Sequence, residues 1–114
     1  MRPDCFLRDF ITEQEIAYII IRLAQMSHCV GIHMIITTQQ VSYNVINGVI
    51  KANFPTRIAF KVSNNIESKI IIDQDDAEQL MDEGDLLYLS SGNYTPERIQ
   101  GALINQTQLN NIVK

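Results

Sequence analysis

At 114 residues, 46% apolar and 19% charged, the sequence has the composition of a globular chain, one domain or part of a larger one, and not of a disordered or fibrous protein. A net charge of −4 argues against strong unaided binding to nucleic acid, whose affinity comes largely from neutralising phosphates with Lys and Arg. The longest apolar run, Ile16 to Leu23, is broken by Arg22 and falls well short of the roughly 20 residues of a membrane span.

The amino-terminal MRPDCFLRDF has neither the apolar core nor the small-residue cleavage site of a secretory signal, so a cytoplasmic chain is expected. Thr12 to Glu15 reads as a capping box, T-x-x-E, in which hydroxyl and carboxylate satisfy backbone donors at a helix start. In the helix that follows, Ile16, Ile19, Ile20, Leu23 and Ala24 recur at three- and four-residue spacing, opposite Gln14, Tyr18, Arg22 and Gln25. Gly31 marks its end. Ile32 to Thr37 is a short β-branched run with little alternation, as expected of a parallel strand covered on both faces, and Thr38, Gln39 and Gln40 close it.

Val45/Ile46 and Val49/Ile50 have helical spacing, weakened by Gly48 and ended by Pro55. Arg57 to Val62 reads as a second strand. Asn64 to Glu67 offers another helix cap before Ile66, Ile70 and Ile71. Asp85 to Leu89 and Arg98 to Leu103 are further strands, joined by a loop from Ser90 to Glu97 that contains Gly92 and Pro96, and a last short helix is capped at Asn105. Strands alternating with helices predict an α/β layer with a mostly parallel sheet, the final pair forming an antiparallel edge hairpin. Ligands of such sheets gather beyond the strand carboxyl ends, which nominates Thr37 to Gln40 and Ser63 to Asn65.

Three stretches carry a family resemblance. RLAQMSHCVGIHMIITTQQVS, Arg22 to Ser42, resembles the RLAQ, GIHL and ATQRPS succession of the FtsK/SpoIIIE-type DNA translocases in order and spacing. GVIKANFPTRIAFKVSN, Gly48 to Asn64, is similar almost residue for residue to their IKANIPTRIAF motif. IESKIIIDQDDAEQLMDEGDLLYL, Ile66 to Leu89, resembles their I-D-S-R-x-I-L-D-Q-G-G-A-E-x-L-L-G-x-G-D-M-L-Y. Order, spacing and residue type preserved over several elements are far more specific than one short motif.

The resemblance implies a partial RecA-like, P-loop NTPase-type three-layer fold. Residues 13–114 are then the carboxy-terminal portion of a motor domain and residues 1–12 a poorly defined leading segment. It further implies ATP and Mg²⁺ as cofactors, double-stranded DNA as the substrate, and a hexameric ring of like subunits acting in chromosome segregation and cell division. No stretch matches the G-x-x-x-x-G-K-[ST] cradle of Walker A, and no apolar strand carries the acidic pair of Walker B, since Asp4 and Asp9 follow none. The chain alone is therefore expected not to hydrolyse ATP. The alternative is a non-catalytic remnant or interaction module that no longer moves DNA.

By the same resemblance, Thr38 and Gln39 match the T-Q beside the nucleotide, where Gln39 is implied as a γ-phosphate sensor, and Arg57 matches the arginine of P-T-R, implied as a finger toward a neighbouring subunit's nucleotide. A guanidinium suits that role because it stays charged and stabilises a transferring phosphoryl group. Arg98, with Asn93 and Tyr94, falls near a channel loop and is implied as a phosphate contact. The plain structural reading of these residues is a strand terminus at Thr38 and Gln39, and arginines at strand starts paired with a nearby acid or with their heads in water. Lys51 reads as a solvated helix end. Departures are also present: Asp75, Asp76 and Asp82 stand where the family has glycine, so backbone conformations with φ > 0 are expected to be lost there, and Lys69 stands where it has Arg. Cys5, Cys29, His28 and His33 have neither disulfide-framework nor zinc-site spacing.

Overall fold

A computed structural model describes residues 13–113. They fall into two compact units, one of residues 13–39 with Gly48–Phe54, the other of Gln40–Asn47 with residues 55–113. The predicted cap at Thr12 and the leading segment 1–12 lie outside the described residues.

The first unit holds α1 (Glu13–Val30) and α2 (Gly48–Asn53), which pack on each other. Gly31, at φ 71, ends α1 in the left-handed conformation that glycine adopts without steric cost, and its successor Ile32 returns an N–H to the Ser27 carbonyl at 3.2 Å. The stripe that faces inward is only partly the one the spacing predicts, which included Ala24 and the half-buried Ile20. Ala24 and Ser27 are buried, whereas Ile16, Ile19 and Leu23 are exposed, as are Met26 and Val30. The larger apolar side chains form a second, exposed stripe at three- and four-residue spacing.

Residues 32–37 do not form the predicted strand. They pair with no strand among the described residues, and Ile35 is 89% exposed. A parallel strand gains its hydrogen bonds only from neighbours, so a β-branched run without them has no ladder to join.

The second unit is built on a three-stranded sheet of β1 (Arg57–Phe60), β2 (Asp85–Leu89) and β3 (Glu97–Gln100), in the order β1-β2-β3. Both ladders are antiparallel, with Ala59 opposite Leu87 and Leu87 opposite Arg98. The α/β class and the antiparallel hairpin stand; the parallel part of the expected sheet is not formed among the described residues. Strands β1 and β3 are shorter than predicted, and just beyond β3 the Gly101 N–H bonds the Gly84 carbonyl at 2.7 Å.

Alternation gives the sheet one covered face. Ala59, Leu87 and Leu89 join Ile72 from α3 (Asn65–Ile72) and Ala77 and Leu80 from and beside a 3₁₀ turn (Ala77–Gln79) in a single apolar core. The α3 start is the predicted one: Asn64 accepts the Glu67 N–H at 2.9 Å, and the Glu67 carboxylate accepts the Ser63 N–H at 2.9 Å. The last helix, α4 (Gln106–Ile112), starts at Asn105 with a reciprocal capping box to Gln108.

Candidate functional site

Of the residues nominated for the nucleotide side, Thr38 and Gln39 follow directly on residues 32–37 in the first unit, both exposed. Arg57, Asn93, Tyr94 and Arg98 belong to the second.

Arg57 opens β1, on the covered face of the sheet, and its side chain is only 19% exposed. Its Nη1 donates to the Ile71 carbonyl at 2.9 Å and to Asp73 Oδ2 at 2.7 Å, while Nε is buried without a partner. The guanidinium therefore closes the carboxyl end of α3, where free carbonyls and the helix dipole both favour a cation. Asp73, at φ 63, is the left-handed cap of the same helix and bonds the Lys69 carbonyl at 3.0 Å.

Between α3 and β2 the chain turns repeatedly. Ser68, wholly buried, donates to the Gln74 carbonyl at 2.6 Å and accepts the Ala77 N–H at 3.2 Å, so one hydroxyl fixes both ends of the turn. In the sequence its signal is slight, a small polar side chain among the isoleucines of α3. The expected loss of positive φ holds at Asp75 and Asp82 and is corrected at Asp76. Asp76 keeps φ 96 without a glycine, its N–H on the Glu78 carboxylate at 3.1 Å, and the other non-glycine residues with positive φ among those described are Asp73 and Glu83. Asp tolerates this region better than most residues because its short polar side chain bonds locally.

The added acids meet lysines. Asp75 lies 3.2 Å from Lys69, so two departures from the family pattern face each other, and Asp82 lies 3.4 Å from Lys61. Both pairs are exposed, and such pairs contribute at most about 1 kcal/mol.

Asn93 and Tyr94 form the tip of the β2–β3 hairpin. Asn93 bonds Ser90 through its backbone N–H at 3.1 Å and its side-chain amide at 2.6 Å, and Gly92 takes φ 83. Gln74 donates its side-chain amide to the Tyr94 carbonyl. Arg98, the nominated phosphate contact, grips Asp85 from the neighbouring strand with Nε and Nη2, at 3.1 and 2.6 Å. That fork raises the Arg98 pKa and holds the Asp85 carboxyl below its ordinary value, helped by the Met81 N–H at 2.8 Å and opposed by burial. Among the described residues, no three His, Cys, Asp or Glu side chains come together as a metal site, and no helix is long and apolar enough to cross a membrane.

No family model matches the chain. Curated relatives do. The chain is 55% identical over 95 residues to the DNA translocase FtsK of Chlamydia trachomatis serovar D, covering 83% of this chain and 12% of that protein. It is 45% identical over 104 residues to that of Pseudomonas aeruginosa and 47% identical over 103 residues to that of Listeria monocytogenes serovar 1/2a. These matches cover 91% and 90% of this chain, and 13% and 14% of the relatives. Thus the chain spans only about an eighth of the proteins it resembles. Among solved structures, that of the pCW3 conjugation coupling protein TcpA, monomer form with ATPγS, is similar in fold, with a TM-score of 0.68 and 23% identity over 91% of this chain and 32% of that one. The α/β arrangement is that of a partial RecA-like fold.

Proposed function

The chain belongs to the FtsK family of DNA translocases, and from that membership we propose that it is part of an ATP-dependent motor for double-stranded DNA, acting in chromosome segregation and cell division, complete only beside a phosphate-binding half. The observation that carries this reading is the run 32–37, mostly apolar and mostly exposed, which pairs with no strand among the described residues and directly precedes Thr38 and Gln39. A β-branched segment of this kind is stable when strands lie on either side, and those strands would bring the nucleotide to the two polar residues that follow.

The residues of this chain do not by themselves fit ATP and Mg²⁺. No G-x-x-x-x-G-K-[ST] stretch occurs in it, and the described carboxylates form no metal cluster. Thr38 and Gln39 are then sensors of a nucleotide held elsewhere. Arg57 serves as a finger only in an assembled ring, where a phosphate would have to compete with Asp73 for its Nη1. Asn93 and Tyr94 face DNA in this reading, and Arg98 supports them from the hairpin base.

Steady-state ATP turnover by the purified chain, with and without duplex DNA, tests the claim. The chain alone is expected to show none, and, added to an intact motor of the same family, to alter ring assembly or turnover. Steady hydrolysis by the chain alone would sink the reading.

A second reading, a non-catalytic interaction module, is favoured by one observation: both arginines nominated for phosphate are engaged with acids of the chain itself. Both acids, Asp73 and Asp85, lie at positions that match the family signature, so the pairs are not marks of drift. Absence of any binding to the intact motor would favour a non-catalytic remnant instead.

A further inference from the structure

The turn after α3 and the tip of the β2–β3 hairpin meet at a polar contact whose donor is Gln74. The backbone of Gln74 is itself firmly placed. Its carbonyl accepts from the buried Ser68 hydroxyl at 2.6 Å, the residue before it caps α3 in the left-handed conformation, and Ala77 is tied to the same hydroxyl at 3.2 Å. The tip is placed less firmly. Asn93 makes its two bonds to Ser90, inside the tip, and Tyr94 is 89% exposed.

We propose that Gln74 is a positioning residue: by holding the Tyr94 carbonyl it sets the direction in which Asn93 and Tyr94 are presented and makes the turn and the hairpin tip move as one body. That the tip so aimed meets DNA rests on the reading above; the latch itself does not. An amide is suited to the task because it donates without charge, so it adds nothing to the acids already crowding this turn at Asp73, Asp75 and Asp76. Glutamate at the same position would keep the shape and lose the donor.

The test uses the full chain labelled with ¹⁵N, unaltered and as Gln74→Ala, Gln74→Glu and Gln74→Lys. The Thr95 amide nitrogen belongs to the same peptide group as the Tyr94 carbonyl, so its chemical shift reports a donor on that oxygen. Removing the donor by Ala or Glu shifts this resonance and speeds amide exchange at residues 91–95 roughly threefold to tenfold, the range of one modest hydrogen bond, while exchange in β2 is unchanged. Lysine, a donor on a longer stem, restores the slower exchange. An unchanged Thr95 shift and unchanged tip exchange in both Gln74→Ala and Gln74→Glu overturn the proposal.

Photo-cross-linking to a short duplex from a reactive group at position 95, in the same variants, separates the two claims. A looser tip with a lower cross-link yield upholds both. A looser tip with the same yield, or with no yield even in the unaltered chain, upholds the latch and removes the DNA-facing reading of the tip.

Discussion

Arg98 closes a two-pronged fork on the carboxylate of Asp85, one strand away and two residue pairs along the sheet, with contacts of 3.1 and 2.6 Å. The acid is 4% exposed and the arginine 58%, so a buried charge is compensated by a partner that is itself mostly exposed. Asp85 has a third bond, from the Met81 N–H at 2.8 Å, which ties the start of β2 to the end of the preceding turn. The pair thus fixes the base of the hairpin whose tip carries Asn93 and Tyr94. Any phosphate at Arg98 competes with a partner already in place.

Acid should expose the value of that fork. The Arg98 guanidinium, more than the Met81 N–H, holds the Asp85 pKa below its usual value, while burial works in the opposite direction. A carboxyl whose pKa is lower folded than unfolded contributes stability in full above the unfolded value of about 3.9, and the contribution is lost as pH falls through the folded value. The urea midpoint is therefore expected to hold from neutrality to about pH 5 and to fall below about pH 4. Asp85→Asn lowers the neutral midpoint and flattens the acid limb; an acid limb as steep in this variant as in the parent would assign the titration to other carboxyls.

Two neighbouring turns should respond oppositely to removing and to adding a Cβ. Asp76 holds φ 96, a region costing most L-residues about 1–2 kcal/mol and Asp somewhat less, so Asp76→Gly is expected to raise stability by about 0.5–1 kcal/mol, the larger backbone entropy of unfolded glycine taking back part of the gain. At Gly84, φ is 94 and an added Cβ would lie 2.6 Å from the Gly101 carbonyl oxygen, so Gly84→Ala is expected to cost about 2 kcal/mol or more. Urea denaturation of both variants measures the difference, and equal changes of the same sign would contradict it.

Arg57→Ala should weaken the isolated chain before any nucleotide or partner is added. Its Nη1 satisfies the Ile71 carbonyl and pairs with an Asp73 that is more than half exposed, so the expected loss is about 1–2 kcal/mol, most of it from the carbonyl left without a donor. Arg57→Lys keeps the charge but not the planar fork and recovers only part of it. A thermal midpoint untouched by Arg57→Ala would free the residue for a role entirely in trans.

Local features were legible in the sequence. The caps at Asn64 and Asn105, the stop at Gly31 and the strand Asp85 to Leu89 each depend on a few adjacent residues, and each is found where the pattern predicts it. Among site residues, the family match nominated Arg57, Arg98 and the Asn93–Tyr94 tip, but not the partners that hold them. Ser68 is not legible in the sequence because its worth lies in reaching Gln74 and Ala77 across a turn, which no periodicity describes.

Sequence by itself determined the family, the order of helices and turns, and the absence of a phosphate cradle from this chain, since all three are properties of residue order. Tertiary structure alone decided that α1 turns its small stripe inward, that residues 32–37 find no ladder among the described residues, and that Arg57 and Arg98 are held by Asp73 and Asp85. The physical reason is that a charge or an apolar stripe has no fixed role until folding brings it a neighbour, and these neighbours lie 13 and 16 residues away along the chain.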